Sequence, residues 1–431
     1  MSVTAWMSVA VFLIAYTLIA TERIHRVAAA LGGAVVMFLI GATDAHDAFF
    51  SEDSGIDWNV VFLLLGMMLI VAVMRRTGVF EYIAIWAVKR AGGQPFRVMV
   101  ILLLVTAVAS AFLDNVTTVL LLAPVTFLVC ERLGVAAAPF LIAEAMASNI
   151  GGTATLVGDP PNIIVGIRGG LSYNDFLIHL TPIVILLTGV FLVLCRYLFR
   201  ASFRYDPQRA AQIAALNERD AIRDGRLLAV SLVVLTVVTA AFVLQRVLGL
   251  DPAVVAIIGG LVLLALSRLD AGDIAKDMEW PTLVFFAGLF VMVGALVTTG
   301  VIDEIAKAAT EATEGRLFFA SMVLLWGSAA TSAVVDNIPY VATLSPVVAE
   351  MVRADGTSQS QVLWWALTLG ADLGGNATAV GASANVVVLG LAERAGQRIS
   401  FWQFTKYGLV VTLVTVTLCV PYLWLRYFAF A

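Results

Sequence analysis

Ten long apolar runs occupy about half of this 431-residue chain, and they bind it to one solvent. They lie at roughly 5–20, 27–42, 58–75, 137–167 and 177–199, then at 227–247, 253–267, 280–299, 362–393 and 404–425. About 20 apolar residues cross a bilayer as a helix. Hydrocarbon tolerates only segments whose backbone polar groups are paired internally. Hydrophobic residues make up 61% of the chain and charged residues 13%, whereas a soluble domain is about a quarter charged. A soluble, disordered or disulfide-stapled chain is excluded, and the predicted fold class is an all-α membrane protein. The first run reads as a true span and not a signal peptide, because no basic leader precedes it. The net charge of −4 gives no sign of a nucleic-acid partner. Cys130, Cys195 and Cys419 lie far apart in apolar runs, and His25, His46 and His179 show no ligand spacing.

Two further apolar stretches, 98–130 and 317–352, are each broken by an Asp-Asn pair, Asp114-Asn115 and Asp336-Asn337. Their arms of about 14–17 residues are short for a crossing. They read as re-entrant hairpins that enter and leave on one side. With the N-terminus outside and ten crossings, both termini are predicted outside. Then 20 of the 26 Lys and Arg face the cytoplasm and only Arg168, Arg246, Lys307, Arg316, Arg353 and Arg426 face out. That bias follows the positive-inside rule of a cytoplasmic (inner) membrane protein. The same count results if each hairpin is two spans, so it supports the ten crossings and not the re-entrance.

The two halves repeat. Trp58, Gly66 and Gly78 recur 222 residues later as Trp280, Gly288 and Gly300, and Asp114-Asn115 recurs as Asp336-Asn337. Gly151-Gly152-Thr153-Ala154-Thr155 returns at offset 223 as Gly374-Gly375-Asn376-Ala377-Thr378, and Asn162 returns as Asn385. The predicted organisation is a first repeat over 1–200, a cytoplasmic linker over 201–226 and a second repeat over 227–431. Five crossings per half is an odd number, so the halves lie in opposite orientations. Inverted repeats with interrupted helices at the midplane are a mark of secondary transporters.

The fourth span is interrupted by Gly151-Gly152 and by Gly158-Asp159-Pro160-Pro161-Asn162, the ninth by Gly374-Gly375 and Gly381. Proline ends a preceding helix, so the ninth span, without one, is expected to break more gently. Broken helices expose carbonyls and amides. Carbonyls, Asn side chains and carboxylates suit hard cations such as Na+. The candidate ion- and substrate-binding residues are therefore Asp114, Asn115 and Thr117; Asn149, Gly151, Gly152, Thr153, Thr155, Asp159 and Asn162; Asp336 and Asn337; and Asp372, Gly374, Gly375, Asn376, Thr378 and Asn385. An Asn or Thr in a span can also be interhelical glue, but an acid deep in a span is costly and functional by default. Asp372 and Glu144 are the proton-carrier candidates, although Glu144 could equally reach a polar layer. Asn115 and Asn337 are the positions for a possible Na+, held through their side-chain oxygens. No basic residue lies in the interrupted segments, which points to cation or proton handling. No GxxxxGK[ST] loop is present, so no ATP-driven pump is visible and no organic cofactor is implied.

FLDNVTTVLLLAPV at 112–125 with NIGGTATLVGDPPNIIVG at 149–166, and VVDNIPYVATLSPV at 334–347 with LGGNATAVGASANVV at 373–387, carry a family resemblance. The chain resembles the P protein-like branch of the ArsB/NhaD permease family within the ion transporter superfamily. The resemblance implies an elevator-type fold of scaffold and moving transport domain, ion and substrate binding at hairpin tips and broken spans, and a homodimer. The wider superfamily includes Na+/H+ antiporters, arsenite permeases, and citrate and dicarboxylate carriers. The leading expectation is a cation-coupled secondary transporter, Na+ or H+ being the coupling ion, with Na+/H+ antiport as one form. An anion, arsenite or dicarboxylate permease is the alternative. An intramembrane aspartyl protease is a remote one, since Leu156-Val157-Gly158-Asp159 lacks the first glycine of Gly-x-Gly-Asp. The expected partners are a small ion or small molecule and the lipid bilayer.

Overall fold

The computed structural model describes residues 1–21, 23–51, 53–203, 218–313 and 315–429. Residues 204–217 of the expected linker lie outside the described residues. Among the described residues every regular element is helical. Seven helices among the described residues are long and apolar enough to cross a membrane: Val3–Ala20, Trp58–Arg75, Asn115–Leu133, Thr181–Leu198, Gly225–Val243, Trp280–Thr298 and Phe401–Tyr427. Arg26–Leu39, Pro95–Ser110, Pro252–Ser267 and Leu317–Ser332 are shorter and also apolar. Several first turns are closed locally, as helix ends in a low dielectric require. The Ser2 hydroxyl accepts from the Ala5 amide, and the Asp57, Asp224 and Asp251 carboxylates accept from the amides of Val60, Leu227 and Ala253.

The helices divide into an outer and an inner set. Leu13, Ile14, Ile185, Val193, Val233, Val237, Ile258 and Leu261 are large, apolar and exposed, as a surface facing lipid should be. By contrast 72% of the most apolar stretch of Trp280–Thr298 is buried. Trp58–Arg75 packs along Pro252–Ser267, and Trp280–Thr298 packs along Arg26–Leu39. At the first contact a Cβ on Gly66 would fall 2.4 Å from the Ala256 carbonyl carbon; at the second, a Cβ on Gly288 would fall 2.9 Å from that of Ala30. The repeated glycines thus mark two equivalent close approaches of backbone to backbone.

Three expectations are corrected. The arms beside the Asp-Asn breaks run Pro95–Ser110 and Asn115–Leu133, then Leu317–Ser332 and Asn337–Asp355, so each second arm has 19 residues and not 14–17. Pro124 and Pro346 sit inside those second arms without ending them. Second, the ninth span does not break more gently. Ala138–Gly152 and Pro160–Arg168 leave 153–159 non-helical, while Val362–Gly374 and Ser383–Arg394 leave 375–382 non-helical, one residue more. The residues before the second pieces, Asp159 (φ −141°, ψ 136°) and Ala382 (φ −145°, ψ 145°), share one extended conformation although only one precedes proline. Third, Val79–Arg90 and Val301–Ala312 are helices in stretches outside the ten expected spans, the second of them amphipathic, and they pack on Asn115–Leu133 and Asn337–Asp355. The fifth run also divides, its first residues belonging to a separate helix, Tyr173–His179, ahead of Thr181.

Candidate functional site

Each interruption is held open by one buried asparagine. Asn162 donates its amide to the carbonyls of Gly152 (3.1 Å) and Thr155 (2.8 Å); Asn385 donates to those of Gly375 (2.8 Å) and Thr378 (2.9 Å). These carbonyls lie at the end of the first helical piece and within the interruption, where the helical hydrogen-bond ladder has stopped. Asn162 and Asn385 therefore serve as backbone supports. Each interruption is also tied to its hairpin. Thr155 donates to the Ala111 carbonyl and Thr378 to the Ala333 carbonyl, both at 2.5 Å. Gly151 and Gly374 let the broken helices close on the hairpin arms, since a Cβ there would come within 2.2 Å of Ala107 and 2.6 Å of Ala329 backbone atoms.

The two units meet in one buried polar cluster. Asn115, at the first hairpin tip, donates to Asn149 and to Asp159, both at 3.0 Å. Asn337, at the second tip, donates to the same oxygen of Asp159 at 3.3 Å. Asn149 donates across to Asn376 at 2.9 Å and to Asn385 at 3.3 Å. Asn115, Asn149, Asp159, Asn337, Asn376 and Asn385 are all buried. Five buried polar atoms here have no hydrogen-bond partner among the described residues: Oδ1 of Asp159, Oδ1 of Asn162, both carboxyl oxygens of Asp372 and Nδ2 of Asn376. Such atoms are rare in native interiors and mark places where an ion, proton or water belongs.

The remaining expected residues take several positions. Both tip asparagines turn their nitrogens to Asp159, and the oxygen of Asn115 accepts from the Val116 amide at 2.9 Å. In this arrangement neither amide offers the carboxylate an oxygen, because the carboxylate itself is the acceptor. Asp114 caps its own helix, accepting from the Thr117 amide at 2.8 Å and hydroxyl at 2.5 Å, so Thr117 stays outside the cluster. Thr153 donates to the Asn149 carbonyl. Glu144 is buried away from the cluster and accepts from Thr126 at 2.5 Å, with its other oxygen unpartnered. Asp336 accepts from the Ile338 amide and from the Ser383 hydroxyl. Among the described residues no group of three His, Cys, Asp and Glu side chains is arranged to hold a metal ion. A cation here would rely on amide and backbone oxygens around single carboxylates.

Sequence reasoning missed Arg26, Thr282, Glu279 and Ser383. They line a cavity of about 600 Å³ with Val116 and Asp336 from the two tips. Arg26 counted only as a loop charge. Its place directly before an apolar helix does not reveal where a long side chain reaches.

Known transporters share this chain's pattern. The family described as citrate transporter (CitMHS) matches residues 16–370. A 46 kDa membrane protein of Mycobacterium leprae is 53% identical over 421 residues, covering 97% of this chain and 98% of that one. An uncharacterized transporter of Mycobacterium tuberculosis is 54% identical over 429 residues, covering 99% of each. The P protein of Homo sapiens is 32% identical over 487 residues, 95% of this chain and 58% of the P protein. The crystal structure of the Alcanivorax borkumensis YdaH transporter, described as having an unusual topology, aligns over 98% of both chains with a TM-score of 0.62 at 16% identity. That last likeness concerns the fold alone.

Proposed function

The chain belongs to the citrate transporter family, in the ion transporter superfamily with the P protein, and from that premise we propose that it is a cation-coupled secondary transporter of the cytoplasmic membrane. The observation that carries this reading is the meeting of both hairpin-tip asparagines on one oxygen of Asp159, whose other oxygen is buried without a partner. A lone carboxylate in a membrane interior is costly unless a cation or proton neutralises it. Na+ or H+ supplies that charge. Asp372, with neither oxygen partnered, is the proton carrier in this reading, and Glu144 the next acid in line. Na+/H+ exchange follows if one cradle holds the cation and an acid of the other exchanges protons.

The finer architecture belongs to the same reading. Ten crossings and two re-entrant hairpins form two inverted repeats, with both termini outside. The hairpins and broken helices move together as an elevator against the outer helices, in a homodimer. The duplicated Thr155 and Thr378 ties support two equivalent transport units.

The family description favours a second reading, a carboxylate carrier driven by the same cation; arsenite is a further anion of the superfamily. One experiment separates them. Purified protein in liposomes is screened for pH change and solute uptake under gradients of Na+, Li+, K+, arsenite, chloride, citrate and smaller dicarboxylates. Cation-driven pH change without added carboxylate supports exchange; uptake of a carboxylate only with a cation gradient supports symport. Transport of any solute without response to a second ion's gradient defeats both.

A further inference from the structure

The cavity beside the hairpin tips contains a positive charge, the guanidinium of Arg26. Arg26 is the first residue of Arg26–Leu39, a helix N-terminus, where the helix dipole disfavours a cation. The side chain lies across the Phe285 ring, 5.5 Å from its centroid. From there it makes two parallel relays. One guanidinium nitrogen donates to the Ser383 hydroxyl at 2.9 Å, and Ser383 donates to Asp336. The other donates to the Thr282 hydroxyl at 3.2 Å, and Thr282 donates to Glu279 at 3.2 Å. One guanidinium thus serves two carboxylates through two hydroxyls. Glu279 and Thr282 belong with the helix that packs on Arg26–Leu39, whereas Asp336 and Ser383 belong to the second hairpin and second broken helix.

Nothing equivalent stands at the first tip, where Asp114 is satisfied by its own Thr117. The cavity's two carboxyls, Glu279 and Asp336, outnumber its one guanidinium, Arg26, and offer a cation oxygen ligands. A small cation that takes the Ser383 oxygen and the Asp336 carboxylate meets the guanidinium at that same oxygen.

We propose that Arg26 is a tethered cation, exchanged for the transported cation as the latter reaches Ser383 and Asp336. With the cation absent, Arg26 neutralises the second hairpin tip and fastens it to the outer helices. With the cation present, the guanidinium is released and the hairpin with its broken helix is free to move. Arg26 is then a positioning residue that sets cation affinity and coupling. The inference rests on the cation-coupled reading above.

The test uses the full-length protein in liposomes, with the half-saturating Na+ and Li+ concentrations of transport as readout. Cation-induced thermal stabilisation in detergent is followed in parallel. Arg26→Gln removes the competitor, and one charge-assisted hydrogen bond is worth about a tenfold change, so the half-saturating concentration falls about tenfold. Arg26→Lys restores much of the wild-type value. Thr282→Val, which cuts one anchor and leaves Ser383 and Asp336 intact, gives an intermediate fall. If Arg26→Gln folds and its half-saturating concentration is unchanged, the exchange is overturned. It is equally overturned if Arg26→Gln loses cation-induced stabilisation and Arg26→Lys regains it, since Arg26 is then required for binding. If Arg26→Gln does not fold, Thr282→Val decides alone, an unchanged value overturning the proposal. A wild-type protein with no cation response at all defeats the cation-coupled reading itself, which a mutant-only failure does not.

Discussion

The two broken helices have nearly the same backbone and different chemistry. Asn162 and Asn385 each bridge two backbone carbonyls, and Thr155 and Thr378 each reach a hairpin carbonyl at 2.5 Å. At the same time Asp159 corresponds to Ala382, Asn149 to Asp372, and Pro160-Pro161 to Ser383-Ala384. Neither proline nor acid, then, sets the shape of the break. Amide-to-carbonyl bonds and glycine contacts hold it, leaving the charged positions free to diverge. The first unit places its acid between both tips. The second places its acid on a helix, where neither carboxyl oxygen has a hydrogen-bond partner among the described residues.

The sharpest way to break this comparison is to change the acids. Asp159→Asn is expected to abolish cation-dependent transport, because it removes the one carboxylate on which both tip asparagines converge. Ala382→Asp in that background should not rescue it, since the second unit lacks the two-tip convergence. Rescue in the liposome assay would show the units to be interchangeable. Asp372→Asn is expected to remove the pH dependence of transport while cation-induced stabilisation persists. A normal pH profile would move the proton role to Glu144.

Sidedness comes next. Single cysteines at Val116 and Ile338, beside the two tips, should react with impermeant thiol reagents from opposite sides of the membrane. Reaction of both from one side in every condition contradicts inversion.

Smaller effects sharpen the backbone half of the comparison. Asn162→Ala and Asn385→Ala should each destabilise the protein by about 2–6 kcal/mol, as two buried carbonyls lose a side-chain donor at about 1–3 kcal/mol each. The two losses should be nearly equal in thermal unfolding, unlike the effects of the acids. Thr155→Val and Thr378→Val should each cost about 1 kcal/mol. A large difference within either pair would mean that the units differ in structure as well as in charge.

Much of the fold was legible because its signals are local. Long apolar runs, the Asp-Asn breaks and the Gly-Gly pairs are patterns within a few residues, and Asp114 and Asp336 do cap the helices that follow them. The helices Val79–Arg90 and Val301–Ala312 were missed because each is only 12 residues long and carries several charges, unlike a span. The gentler second break was expected from a proline rule, but the structure answers to Asn385 and to the close approach of Gly375 and Gly381. There a Cβ on Gly381 would lie 2.7 Å from the Gly375 carbonyl oxygen.

By itself the sequence determined the solvent, the helical class, the duplicated interruptions and the set of polar groups that must lie within the membrane. Those follow from the cost of burying unpaired backbone and charge in hydrocarbon, which any chain must meet residue by residue. Only the tertiary structure decided which of those groups meet. Asn115 and Asn337 are 222 residues apart and share one oxygen of Asp159. Arg26 crosses 357 positions to reach Ser383. Contacts of that span depend on how separate helices pack, and no local pattern carries that information.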